Sequence, residues 1–285
     1  MTPRYQRSAL GLMLAAALGA VTGFSGSARA EPMSFAGQNE NDWRFVLTPY
    51  LFLPFSTTGT STVAGQEATL DMDLGEILDI LQGAASIRGE AWKGDFGIIS
   101  EIYYTKTGLD ASRELGPSSG VKLDVDTKTE QGFFSVLAAW RFMNGTYGAE
   151  GRRYSLDVSG GARWNSLTQD INTKTTFSII PFDTVKKDFG GTETWWEPVV
   201  SLRGAWEVAD RWTLGARVDL AGFGVNGDNL QYLVLAGADW RVWEKTSLKM
   251  GYQFYGIDYS TEKSDGKFAY DIDQNGPYLG LTFRF

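Results

Sequence analysis

Apolar and polar residues alternate with a period of two along most of the chain. Trp212, Leu214, Ala216, Val218 and Leu220 share one parity, while Thr213, Gly215, Arg217 and Asp219 share the other. Period two over this length predicts a β-strand with one apolar face. The same pattern recurs from Trp43 to Phe55, Phe96 to Tyr104, Phe134 to Phe142, Tyr154 to Trp164, Trp196 to Trp206, Leu230 to Val242 and Leu279 to Phe285. Two weaker segments, residues 84–92 and 247–259, bring the expected strands to ten. Residues 61–70 are a further candidate strand, which would point to twelve.

The aromatic positions separate two kinds of β fold. Trp196 and Trp206 lie ten residues apart on one face, as do Tyr154 and Trp164, and Tyr232 and Trp240 lie eight apart. Small and aliphatic residues fill the intervals. A soluble sandwich would place its largest rings mid-strand. A strand crossing an outer membrane needs ~9–11 residues, with aromatics at both interfaces. The expected fold class is therefore an all-β, antiparallel, transmembrane up-and-down β-barrel of ten strands, with twelve as the alternative. Tight connections fall at residues 93–95, 209–210 and 242–245, and a slightly longer one at 143–151. Long polar connections are expected at 56–83, 109–120, 170–191 and 261–268.

The N-terminus reads as an address. Arg4 and Arg7 precede an apolar run of residues 9–21, and Ala28-Arg29-Ala30 matches a small-residue cleavage site. Residues 1–30 are thus expected to be a secretory signal peptide, too short in its apolar run for a membrane anchor. Residues 31–41 would form a periplasmic tail and residues 42–285 the barrel. Cleavage would remove three arginines and no acid, taking the net charge from −8 to −11.

The final strand, Gly-Pro-Tyr-Leu-Gly-Leu-Thr-Phe-Arg-Phe, resembles the C-terminal insertion strand of bacterial outer-membrane β-barrel proteins, with Phe283 and Phe285 as the assembly signal. The resemblance implies residence in the outer membrane of a Gram-negative cell. It also implies contact with outer-membrane lipids and lipopolysaccharide, and insertion by the barrel-assembly machinery. The enzymatic barrels of that class rely on a histidine. This chain has none, so no enzyme activity is carried over. The absence of Cys and His also excludes thiolate zinc sites, cysteine nucleophiles and Ser-His-Asp triads. An acidic chain without a basic block is a poor partner for nucleic acid.

The polar parity is where chemistry could reside. It collects Arg44, Arg88, Arg141, Arg163, Arg203, Arg217, Arg241, Lys249 and Arg284 against Glu90, Glu101, Asp157, Glu197, Asp219 and Asp239. Charges are expensive on a lipid face, so this parity should face the lumen. Arg88 and Glu90 are expected near Glu101, and Asp239 and Arg241 near Arg217 and Asp219. Two readings follow. The first is a narrow passive pore for small polar solutes, lined by these groups with a mild cationic bias. The second is a salt-bridged, non-conducting barrel with a structural or surface-interaction role. Inward Tyr50, Phe52, Tyr103, Phe133, Leu137, Leu233 and Leu235 would narrow any path.

Residues 71–83 break the β pattern. Leu74, Ile77, Leu78 and Leu81 fall at helical spacing, which predicts a short amphipathic helix acting as plug or lid, or packed on the rim. Asp71 and Asp73 share the spacing of a calcium loop without its other ligands, so no metal or cofactor is expected.

Overall fold

A computed structural model describes residues 42–114, 121–177, 184–264 and 266–285. The expected signal peptide and tail, residues 1–41, lie outside the described residues. The elements run β1 (Arg44–Phe52), β2 (Ser56–Val63), β3 (Gln66–Asp73), α1 (Leu74–Ile80), β4 (Leu81–Lys93), β5 (Phe96–Glu114), β6 (Val121–Tyr147), β7 (Arg152–Phe177), β8 (Thr184–Ala209), β9 (Trp212–Ala221), β10 (Asp228–Trp243), β11 (Thr246–Lys263) and β12 (Gly266–Arg284).

Strands β1 and β4 to β12 pair antiparallel in sequence order, and β12 returns to pair with β1, closing a ring of ten. The closure is made of backbone: Val46 faces Arg284, Phe52 faces Tyr278, and the Phe285 amide donates to the Phe45 carbonyl at 2.9 Å. Strand β2 continues the line of β1 after Pro54 and pairs with β12 over residues 269–275. It turns at residues 64–65 into β3, so residues 61–70 form a hairpin on one end of the ring rather than an eleventh and twelfth wall strand.

The pleat sorts the side chains as the alternation requires. Phe134, Val136, Trp140, Trp196, Val200, Leu202 and Leu214 are exposed on the outside, and the intervening residues are buried inside. Water would penalise such an exterior, and hydrocarbon would not.

Three of the expected long connections need correction, and at residues 261–268 strands β11 and β12 stay paired up to Lys263 and Gly266. Residues 109–114 and 170–177 are not loops. They are the ends of strands β5 and β7, and residues 184–191 likewise belong to β8. Beyond Trp164 the outward parity becomes Ser166, Thr168, Asp170 and Asn172, so the apolar half of the alternation disappears. The β-branched threonines, such as Thr173, Thr175 and Thr176, keep the backbone extended. From Trp164 to Phe177 the strand runs on for roughly 40 Å at ~3.3 Å per residue. Strands β5 to β8 thus form a palisade on the side away from the termini. On the termini side, β6 likewise extends to Tyr147 before a turn in which Gly148 and Gly151 take φ of 70° and 63°. Only glycine adopts those values without strain.

The expected helix is real but shorter than residues 71–83. Asp73 caps it, its carboxylate accepting from the Glu76 amide at 3.0 Å while the Glu76 carboxylate accepts from the Asp73 amide at 3.0 Å. Ile77 is its buried residue and Leu78 is exposed, while Leu74 is half-buried. Leu81 has left the helix and opens β4. The helix connects β3 to β4 and contacts β2, β3 and β5, which places it in the wall near the rim.

Candidate functional site

The barrel interior is built in layers. Across its middle lies a network of arginines and carboxylates, drawn from most of the ring. Hairpin register places Arg88 of β4 opposite Glu101 of β5, and the two pair at 2.8 Å. Arg88 also holds Glu90, two residues along its own strand, at 3.0 Å. Arg217 of β9 then reaches Glu101 from the far wall at 2.6 Å, and Arg203 of β8 reaches Glu90 at 2.6 Å. The Tyr50 hydroxyl of β1 donates to Glu101 at 2.6 Å. Glu101 therefore receives two guanidiniums and a phenol while 2% exposed. The indole of Trp92 donates to Glu90 at 2.9 Å.

A second branch spans β6 to β9. Asp157 accepts from Arg141 at 2.8 Å and from Arg203 at 2.7 Å. The Arg141 guanidinium lies 4.7 Å from the Trp92 ring. Arg163 lies 3.6 Å from Glu197 and 3.7 Å from Asp219, and 4.5 Å from the Phe133 ring. It also donates to the Gln231 amide oxygen, while Arg217 binds both oxygens of Asp219. Such forks suit guanidinium, which presents its donors in a plane.

On the termini side of this network, Arg284 holds Asp239 at 3.3 Å. Arg44 donates to the Gly94 carbonyl at 2.9 Å, and Arg241 sits 3.8 Å from Glu207. Arg44 and Arg241 are thus rim residues rather than members of the central network.

The structure therefore brings together twelve of the fifteen expected inward charges inside the barrel, all but Arg44, Arg241 and Lys249. The expected meeting of Asp239 and Arg241 with Arg217 and Asp219 does not occur. Asp239 lies opposite Thr213, and Arg217 lies opposite Leu235, four residues further along. Turn length and parity constrain neighbouring strands only, whereas Arg217 reaches across the lumen to Glu101. Tyr50, expected inward only as a constriction, proves to be a partner of Glu101, and Gln131, Gln231 and Tyr255 are neutral partners that no motif marked. Their inward parity was the one signal available.

Above the charges lies an apolar layer. Trp195, Tyr255, Tyr259, Phe268, Tyr270, Leu167 and Ile272 are buried in one cluster, with Val63 of the hairpin joining it. Trp195 stacks on Tyr259 with ring centroids 3.8 Å apart. Gln131 of β6 donates to the Tyr255 hydroxyl of β11 at 3.2 Å, directly across the ring. Gln169 of β7 likewise donates to Ser61 of the hairpin at 2.7 Å.

A ring closed by backbone pairing, apolar outside and charged within, defines the class: this is a bacterial outer-membrane β-barrel. No family model matches the chain, and no curated protein matches it in sequence. Among solved structures, it is similar to the outer membrane protease OmpT from Escherichia coli, at 13% identity over 88% of this chain and 99% of that one, with a TM-score of 0.47. It is similar also to the translocator domain of the autotransporter NalP from Neisseria meningitidis, at 14% identity over 88% and 90%, with a TM-score of 0.41. Ail, the attachment invasion locus protein of Yersinia pestis, matches at 9% identity over 86% and 99%, with a TM-score of 0.33.

Proposed function

We propose that the protein is a barrel closed to conduction that supports a surface-exposed strand palisade for interaction outside the cell. The observation that carries this reading is bonding across the lumen. Glu90 to Arg203 and Glu101 to Arg217 each link strands four places apart in a ring of ten, and Gln131 to Tyr255 links strands five apart. A solute on the axis must break these contacts and then displace the Trp195 and Tyr259 layer. The helix α1 is not needed for this closure.

In this orientation the termini and short turns face the periplasm and the palisade stands outside. Its outer face carries a concavity of about 430 Å³ bordered by Asp110, Asp124, Asp126, Asn172, Lys174 and Lys186. Mixed charge of this kind suits polar partners. Outer-membrane lipids and lipopolysaccharide would surround the apolar band, and the strand ending in Phe283 and Phe285 would be read by the assembly machinery. The competing pore reading predicts passage of small polar solutes. Purified protein in a planar bilayer separates the two. The closed barrel should show no steady unitary conductance, whereas an Arg203→Ala/Arg217→Ala variant should show opening events. Steady conductance of the unaltered protein would make it a pore.

A further inference from the structure

We infer that the lumen holds a binding site for a small monovalent inorganic anion, of halide size, at Lys249. Six inward arginines, the buried Arg88, Arg141, Arg163 and Arg217 and the half-buried Arg203 and Arg284, stand against six carboxylates, and every arginine has a carboxylate partner. Lys249 is an additional cation. It forms no hydrogen bond or ion pair with the described residues. A partly buried ammonium with no ion-pair partner in reach is costly, and Asp239 and Glu90 act on it only at longer range, so the site as built invites a closer anion.

The space for it exists. Lys249 lines a cavity of about 70 Å³ between the charged network and the wall. That volume accommodates a halide with a water. The cavity results from missing side chains. Ala205, Gly215, Gly237 and Gly251 follow one another in register across β8, β9, β10 and β11 on the inward parity. A Cβ on Gly251 would lie 2.5 Å from the Tyr278 ring and 2.4 Å from the Ala236 carbonyl, so position 251 accepts nothing larger than glycine.

Donors converge on the same space. Lys249 and Gln253 flank Gly251 on β11, and Tyr278 of β12 lies opposite Gly251. All three line the cavity. Neither the Gln253 amide nor the Tyr278 hydroxyl has a side-chain partner among the described residues. One ammonium, one amide and one phenol form a donor set for an anion. Of the carboxylates on the cavity wall, Glu101 is held by Arg88 and Arg217, and Asp239 is held by Arg284 through one of its two oxygens, so arginines offset the charge of both. Asp239 is the register partner of Lys249 but turns to Arg284.

The test is to refold the full chain into detergent in sodium bromide, so that the ion can enter as the barrel closes, and to collect diffraction at the bromine edge. The expected result is one anomalous peak in the cavity beside the Lys249 Nζ, lost in Lys249→Met and weakened in Gln253→Leu. Should Lys249→Met not fold, the wild-type map and Gln253→Leu still decide. A wild-type cavity without an anomalous peak overturns the proposal, and so does a peak of unchanged height in either variant.

Discussion

Two layers close the same lumen by opposite chemistry. The lower one, around Glu101, joins charges, and the upper one, around Trp195, joins rings. Each guanidinium in the charged layer needs a particular oxygen at a particular place, because an unpaired buried charge has no other means of relief. The aromatic layer makes no such demand. Its rings gain from any apolar neighbour, and the Trp195–Tyr259 stack is one arrangement among several that would exclude water. The difference shows that a barrel can be sealed both by specificity and by volume. Damage should spread through the charged layer and stay local in the aromatic one.

The largest effect is expected at Glu101. Glu101→Gln leaves the Arg88 and Arg217 guanidiniums facing a neutral amide and should destabilise the barrel by about 4 kcal/mol. Urea unfolding in detergent would measure it. Adding Arg217→Met should recover part of that loss by removing the surplus positive charge, since Asp219 keeps Arg163 at 3.7 Å. A double variant whose loss equals the sum of the two single losses would show that the layer is not a coupled network.

Trp195→Ala comes next. It removes a buried ring from the aromatic layer and should cost about 3 kcal/mol. A companion Leu167→Ala should add to it independently only if the layer yields locally, so the sum of the two, read from the same unfolding midpoints, sharpens the contrast with Glu101.

The smallest effect lies outside both layers. Asp271, on the outer face of β12 above the apolar band, has its carboxyl raised by burial first and then by Asp258 and Asp273. Asp258 is its register partner. A folded value above the unfolded one favours the protonated acid in the native state. The folded barrel is therefore penalised at neutral pH and gains stability as pH falls through the raised value. Asp271→Asn should raise the unfolding midpoint slightly at pH 7, and the gain should vanish in acid where both proteins carry a neutral side chain. A gain that persists in acid would point away from like-charge repulsion.

Much of the wall was legible in the alternation. Phe134 to Phe142 and Trp196 to Trp206 read as lipid-facing rows because each places an aromatic at either end of a span long enough to cross hydrocarbon, and both are exposed. The closure between β1 and β12 was legible in the last ten residues. The palisade was not, because above Trp164 the outward parity turns polar, the inward one mixes Leu167 and Ile171 with Asn165, Gln169 and Thr173, and the period-two signal fades, although threonine-rich strands continue. The hairpin β2–β3 was ambiguous for the same reason: Thr57 to Thr60 has no apolar parity to place.

The candidate site divides similarly. The assignment of Arg88, Glu90, Arg141, Asp157, Arg163, Glu197, Arg203, Arg217, Asp219 and Asp239 to the interior follows from parity alone, since the alternative exposes charge to lipid. The pairing of Arg88 with Glu101 follows from one tight turn, at residues 93–95, which sets the register of a single hairpin. By itself, then, the sequence determined the strand faces, the sign of the interior and the one contact across a tight turn, Arg88 with Glu101, because period and turn length act over short range. Only the closed ring decided that Arg203 reaches Glu90, that Arg217 reaches Glu101, and that Lys249 is left facing a cavity. Those contacts cross the lumen, and their distances depend on the number, tilt and curvature of all ten strands together.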